Sequence, residues 1–365
     1  MTRDELFKIN IEKPSREAYQ KCKENWDHLA KPLDGFGDFE DLVARIGGIQ
    51  NNPDPDISKR AALIFCADNG IVEEGISQSG TEVTRKVAGS LGAGISPVCI
   101  LGKSAGVRII PLDIGIIGQD KIPGLLDRKV AEGTRNFLRE PAMTEGQVLK
   151  AIECGISLVK DLKDQGVKII ASGEMGIGNT TTSAALIAAL TGKDFDKLTG
   201  RGAGLDDQGF EKKKNVIKKG LMKYGALDNR EDVSREYAFE ILRSLGGLDI
   251  AGIIGLFIGG ALYKIPVVMD GLITGAAGIA AELMVPGVKD YLIPSHKGRE
   301  SGNETALDFL GLKPYINGDM ALGEGTGALM LFPLMDIMFD YYKRGSKFSS
   351  YEMDGYIRFD DEANI

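Results

Sequence analysis

The 365-residue sequence predicts a doubly wound α/β fold around a mostly parallel sheet, and two observations carry that expectation. Apolar runs of strand length recur without the alternation of a half-exposed strand, so both faces of each should be buried, as in a parallel sheet covered by helices. Segments of helical periodicity separate the runs, and alternation of strand with helix is the pattern of this fold class.

Taken in order, the first 50 or so residues are polar and helical, with the only Trp in "EAYQKCKENWDHLAKP". The first strand is expected at Ala62 to Ala67, "ALIFCA", followed by the helical "TEVTRKVAGSLGAGISPVCILGKSAG". "VRIIPLDIG", Val107 to Gly115, reads as the second strand. The helix in "TEGQVLKAIECGISLVKDLKDQG" should open on Thr144 as its N-cap and close at Gly166. "VKIIASG", Val167 to Gly173, is the third strand. The most apolar run, Ile250 to Tyr263, is bounded by Asp249 and Lys264; it falls short of the ~18 residues of a membrane span and reads as a buried helix. "VVMDG" at Val267 to Gly271 and "YLIPS" at Tyr291 to Ser295 complete the strands, and "GALMLFPLMDIMFDYYKRGSKF" is a final amphipathic helix. The expected division is an α/β domain over 51–330 and a small helical part drawn from both chain ends, 1–50 and 331–365.

A net charge of −8 argues against a nucleic-acid partner, which would require a clustered basic face. Four scattered cysteines without C-x-x-C spacing, and no charged, apolar and small leader, give a cytoplasmic expectation. The two histidines, His28 and His296, lie far apart, and no metal-ligand spacing occurs, so no metal site is expected. Small-molecule chemistry is what remains.

In "GEMGIGNTTTSAALIAALTG" the strand is expected to end at Gly173 and a helix to open over Asn179 to Thr182. Free amides at a helix start favour an anion, and Gly176 and Gly178 would let it approach the backbone. Glu174 beside a phosphate would be repelled, unless it faces a sugar. A second glycine cluster, "GRGAGLDDQGFEKKK", precedes a helix whose Lys212, Lys213 and Lys214 read first as a solvated face. Glu324 in "LGEGTGALM" is flanked by glycines just before the final helix, which suits either a helix-terminus acid or a general base that a ligand must approach. "VVMDGLITG" partly matches the diphosphate-ribose motif of ordinary phosphoribosyltransferases through Asp270 and Thr274, but Met269 replaces the first acid of its pair.

Seven stretches, "CADNGIVEEGIS", "GEMGIGNTT", "GRGAGLDD", "LGGLDIAGIIG", "VVMDGLIT", "DYLIPSH" and "LGEGTGA", stand in the order of the nicotinate-nucleotide:dimethylbenzimidazole phosphoribosyltransferase family, which the chain resembles from about Lys31 to about Met335. The resemblance implies a Rossmann-like sheet with a small helical domain, a homodimer, and no cofactor. It implies transfer of phosphoribose from nicotinate mononucleotide to an aromatic base, giving a cobamide lower-ligand nucleotide. It further implies that Glu324 is the general base and that Glu174 orients substrates or stabilises charge near the sugar. Gly176, Gly178, Asn179, Thr180, Gly202 and Lys213 would hold phosphate and ribose, while Ser79 and Leu322 would line the base pocket.

The chain departs from the family's pattern at Asp68-Asn69-Gly70, at Ser295-His296-Lys297-Gly298 and in "KPLDGFG". These leave open adenine or a phenol as acceptor and a paralogous partner subunit; Asp270 and Thr274 offer a diphosphate-ribose-dependent transferase as the alternative enzyme, and a nucleotide-binding protein without chemistry is the alternative of another class.

Overall fold

A computed structural model describes residues 1–227 and 233–358. Six strands form one sheet: β1 (Arg60–Ala67), β2 (Val107–Gly115), β3 (Leu126–Asp127), β4 (Ile169–Met175), β5 (Val267–Met269) and β6 (Leu292–Pro294). Their order is β3-β2-β1-β4-β5-β6, and every pairing is parallel. The order reverses between β1 and β4, and the strand ends beside such a switch point are where sheets of this kind bind ligands. A second, two-stranded parallel ribbon joins β7 (His296–Gly298) to β8 (Ile316–Met320).

Apart from the two-residue β3, the strands of the six-stranded sheet follow the apolar runs closely, and β4 differs in one instructive way. β4 continues two residues past Gly173, because Glu174 pairs with Phe65 and Met175 with Cys66 of β1. The pairing overrides the low strand propensity of an acid and carries Glu174 to the carboxyl edge of the sheet.

The long helical stretch after β1 also differs from expectation, breaking into Glu82–Gly92 and Pro97–Ser104. Gly94 takes a left-handed φ of 73° between them, and Pro97 restarts the helix at its first position. Residues Glu82–Ser104 together reach the length and hydropathy of a membrane span. Neither piece does so alone, at 11 and 8 residues. The helix Glu145–Asp164 begins at its Thr144 capping box, as its sequence predicts.

Contacts divide the chain into two compact units, one of Met1–Lys13 with Ile57–Leu331 and one of Pro14–Asp56 with the residues from Phe332. Residues 1–13 thus belong with the sheet, whereas the sequence-based division began the α/β domain at 51; residues 359–365 of the expected C-terminal part lie outside the described residues. The second unit is helical and built from both ends of the chain. Trp26, fully buried, lies 5.0 Å from the Tyr342 ring, and Lys31 pairs with buried Glu40 at 2.7 Å.

In the first unit the apolar helix Leu248–Tyr263 is buried almost throughout, because it touches both the sheet and the helix Glu145–Asp164. Gly252 faces Phe65 of β1, and Gly255 lies directly on the Ile152 backbone, where an added methyl group would overlap the carbonyl oxygen. The substitution Gly255→Ala should therefore force the two backbones apart and cost about 1–3 kcal/mol. Urea unfolding of the purified variant would show this as a lower midpoint at unchanged slope.

Candidate active site

The loops at the carboxyl ends of β1, β4, β5 and β6, with residues 199–204 and 320–326, surround a cavity of about 740 Å³. Of the residues singled out in the sequence, Glu174, Gly176, Gly178, Asn179, Thr180, Gly202, Lys213, Leu322 and Glu324 line it, as do Asp270, Thr274 and His296. Ser79 does not; Ser77, two residues earlier, does.

Beyond β4 the chain turns into the helix Asn179–Thr191 through Gly178, which has a φ of 96° that a side chain would strain. At Gly176 a Cβ would meet the Ala67 carbonyl at 2.5 Å and Asp249 Oδ2 at 2.9 Å, so only glycine fits. Thr180, in the first turn of this helix, accepts a hydrogen bond from Lys213 Nζ at 2.8 Å. Gly202 completes a cradle with them, since a Cβ there would lie 3.0 Å from Thr180 Oγ1 and 3.2 Å from Lys213 Nζ.

Lys213 is only 1% exposed, unlike Lys212 and Lys214 on either side. It shares the inner face of the helix Asp207–Lys223 with Val216, Ile217, Gly220 and Leu221, at the spacing of an apolar stripe. That register was readable in the sequence, although a solvated lysine face is the commoner outcome for such a run. Burial pushes the Lys213 ammonium down to about 8, opposed by the negative charge of Glu300.

Glu174, 6% exposed, accepts a hydrogen bond from the Asn179 side-chain amide, which also donates to Asp249 Oδ2 at 3.1 Å. The amide expected at the phosphate is therefore directed between two buried acids. Burial pushes the Glu174 carboxyl up to about 8, with Asp249 adding to the rise and Asn179 opposing it. Asp249 is pushed up to about 6 by burial, opposed by the Asn179 side chain and the Ile250 amide. Burial thus pushes both acids toward the neutral form, against the pull of the Asn179 amide that they share.

Glu324 lines the same cavity. It has a φ of 60° between Gly323 at 86° and Gly325 at 87°, a left-handed run that turns the chain into the helix Thr326–Arg344. A Cβ on Gly323 would lie 3.1 Å from Glu174 Oε1, and one on Gly173 would lie 2.6 Å from the Glu324 carbonyl oxygen, so the turn packs on the end of β4. The Glu324 carboxylate accepts a long 3.5 Å hydrogen bond from the Val98 amide in the first turn of Pro97–Ser104. Burial raises its pKa, the Val98 amide and the Ser96 side chain oppose the rise, and Asp270 adds to it.

Sequence reasoning passed over Asp249, Ser96, Val98 and Glu300, whose partners lie far away along the chain. Asp270 it read as half of a diphosphate-ribose motif. In the fold its carboxylate accepts amide hydrogen bonds from Gly325 at 3.2 Å, Gly327 at 2.8 Å and Ala328 at 3.2 Å. Those commitments disfavour the diphosphate-ribose reading.

The sequence model of a phosphoribosyltransferase family matches residues 11–352. A nicotinate-nucleotide–dimethylbenzimidazole phosphoribosyltransferase of Acetivibrio thermocellus is 39% identical over 334 residues, covering 91% of this chain and 93% of its own. One of the same name from Clostridium acetobutylicum is 39% identical over 343 residues, covering 93% and 95%. Among solved structures, CobT from Thermus thermophilus superposes with a TM-score of 0.85 at 31% identity, over 93% of this chain and 99% of that one.

Proposed function

We infer the reaction from one premise: the chain belongs to the nicotinate-nucleotide:dimethylbenzimidazole phosphoribosyltransferase family. The enzyme transfers the phosphoribosyl group of nicotinate mononucleotide to a nitrogen of a benzimidazole-type base. Nicotinate leaves, and the product is the α-ribazole 5′-phosphate used as a cobamide lower ligand. The observation that carries this reading is one cavity lined by a buried ammonium, a hydroxyl and two carboxyl groups, of a size that accommodates small-molecule substrates.

Lys213, Thr180 and Gly202, at the start of the helix Asn179–Thr191, take the 5′-phosphate. The lone pair of one azole nitrogen forms a bond to C1′ from the face opposite the nicotinate. The C1′–N bond to nicotinate breaks, and its electron pair neutralises the pyridinium. Glu324 accepts the proton from the other azole nitrogen, so that the product ring is neutral. Positive charge on the pyridinium and on the developing sugar cation favours the ionised form of Glu174, which thereby stabilises the transition state more strongly than a permanently neutral group could.

We assign Asn179 to holding Glu174 and Asp249, and Leu322, 58% exposed, to the apolar wall on the acceptor's side. The expected Ser79 lies two residues beyond the lining Ser77. On the sequence resemblance we read the assembly as a homodimer in the cytoplasm.

The test is incubation of the purified protein with nicotinate mononucleotide and a panel of benzimidazoles, purines and phenols, with products identified by mass. A benzimidazole ribotide appearing together with nicotinate is the expected result. No ribotide from any acceptor would overturn the reading in favour of nucleotide binding alone.

A further inference from the structure

We propose that Asp270 is a positioning residue, whose carboxylate caps the final helix from the end of β5 and thereby holds the turn that aims Glu324 at the substrates. The proposal rests on the reading of Glu324 as the base. It gives Asp270 a task different from the diphosphate-ribose contact that its motif suggested.

The residue before the helix Thr326–Arg344 is Gly325, which has no side chain with which to cap it. The residues before it are Gly323, Glu324 and Gly325, and the Thr326 hydroxyl donates back to the Gly323 carbonyl. Orphan amides at the helix start, those of Gly327 and Ala328, instead donate to Asp270 Oδ1, and the Gly325 amide donates to Oδ2. One side chain, 5% exposed, thus ties three of the four residues that follow Glu324 to the end of a sheet strand. A local cap would fix the helix start only to its own loop. This one fixes it to the strand next to β4, on which Glu174 stands.

The held conformation is one the chain would otherwise leave. Glu324 adopts a left-handed φ of 60°, which a residue with a Cβ occupies only when its surroundings enforce it. His296 backs the clamp: it is 4% exposed, its ring lies directly against Gly327, and its Nδ1 is 2.9 Å from Ser295 Oγ. Around Asp270 the ionisable side chains are His296, Glu174 and Glu324. The negative charge of Asp270 raises the pKa of both glutamates, and His296 counters the burial of Asp270 itself.

The experiment compares Asp270→Asn with Glu324→Gln and with the double variant. Asparagine keeps the size and one acceptor oxygen but sets an amide nitrogen against one of the clamped N–H groups. The value of kcat should fall about 10- to 100-fold, the cost of a reacting group misplaced by roughly 1 Å. KM for nicotinate mononucleotide should stay within about threefold, because the Lys213 cradle is untouched. The acid limb of the kcat profile should move to lower pH as the neighbouring charge disappears, which a merely loosened fold would not cause. In the double variant the loss should not exceed that of Glu324→Gln alone, since Asp270 acts through Glu324.

Wild-type kcat and an unmoved acid limb in Asp270→Asn, alongside an impaired Glu324→Gln, would overturn the positioning role and leave the base in place. Full turnover in Glu324→Gln would remove the base itself. Hydrogen exchange of the wild-type peptide 322–330 supplies a check free of any folding defect: its clamped amides should exchange slowly, and exchange at the rate of unstructured chain would overturn the clamp.

Discussion

Glu324→Gln should lower kcat by about 10²- to 10⁴-fold while nicotinate mononucleotide still binds, the loss expected when a general base is removed. The amide has nearly the shape of the carboxylate and can still accept from the Val98 N–H, so the turn of left-handed residues has no reason to move. Only the basic lone pair disappears. The pH profile gives the second half of the result. A base works in its ionised form, and burial raises the Glu324 pKa above its ordinary value, so wild-type turnover should fall as pH drops through that raised value. The residual rate of Glu324→Gln should lose this limb. Steady-state rates across pH with a benzimidazole acceptor test both statements, and unchanged turnover would take Glu324 out of the mechanism.

Lys213→Met should produce the opposite split, raising KM for nicotinate mononucleotide about 10- to 150-fold, the equivalent of one charge-assisted hydrogen bond of about 1.5–3 kcal/mol. The same substitution should make the protein more stable in the absence of nucleotide. The ammonium is pushed down to about 8 in the fold from the 10.5 of a free lysine, so folding works against its charge by about 3 kcal/mol at pH 7. This penalty is complete below the folded value near 8 and disappears as pH rises through 10.5. Wild-type stability should therefore gain on that of the variant between those two values. Thermal unfolding with and without nucleotide measures this, and an unchanged KM would remove Lys213 from the phosphate site.

The sheet was legible because its strands are buried on both faces and therefore spell continuous apolar runs. β2 matches its run residue for residue, and β1 extends its run by only two residues. β3, with two residues, and β8, largely polar and exposed, leave no such trace. The cradle of Thr180, Gly202 and Lys213, proposed for the phosphate, was legible as two glycine clusters, each followed by a helix start, and the resemblance to the family brought them together. What the sequence concealed was pairing at a distance. Asp249 reads as the polar border of an apolar helix until Asn179, 70 residues earlier, is placed against it. Asp270 reads as half of an incomplete motif until amides 55 to 58 residues later turn toward it. Local periodicity carries no information about either.

The wholly parallel sheet has a consequence for how the enzyme comes into being. No strand can join a neighbour through a tight hairpin, so each pairing waits for a crossover, the shortest being the ten residues between β2 and β3. Synthesis at about 5–20 residues per second presents the two halves of the site at different times. A nascent chain arrested before Thr326 would own Thr180, Gly202 and Lys213, the proposed phosphate cradle, yet lack the helix start whose amides donate to Asp270. On the roles proposed above, chemistry on a bound sugar would wait until the chain from Thr326 onward has been made.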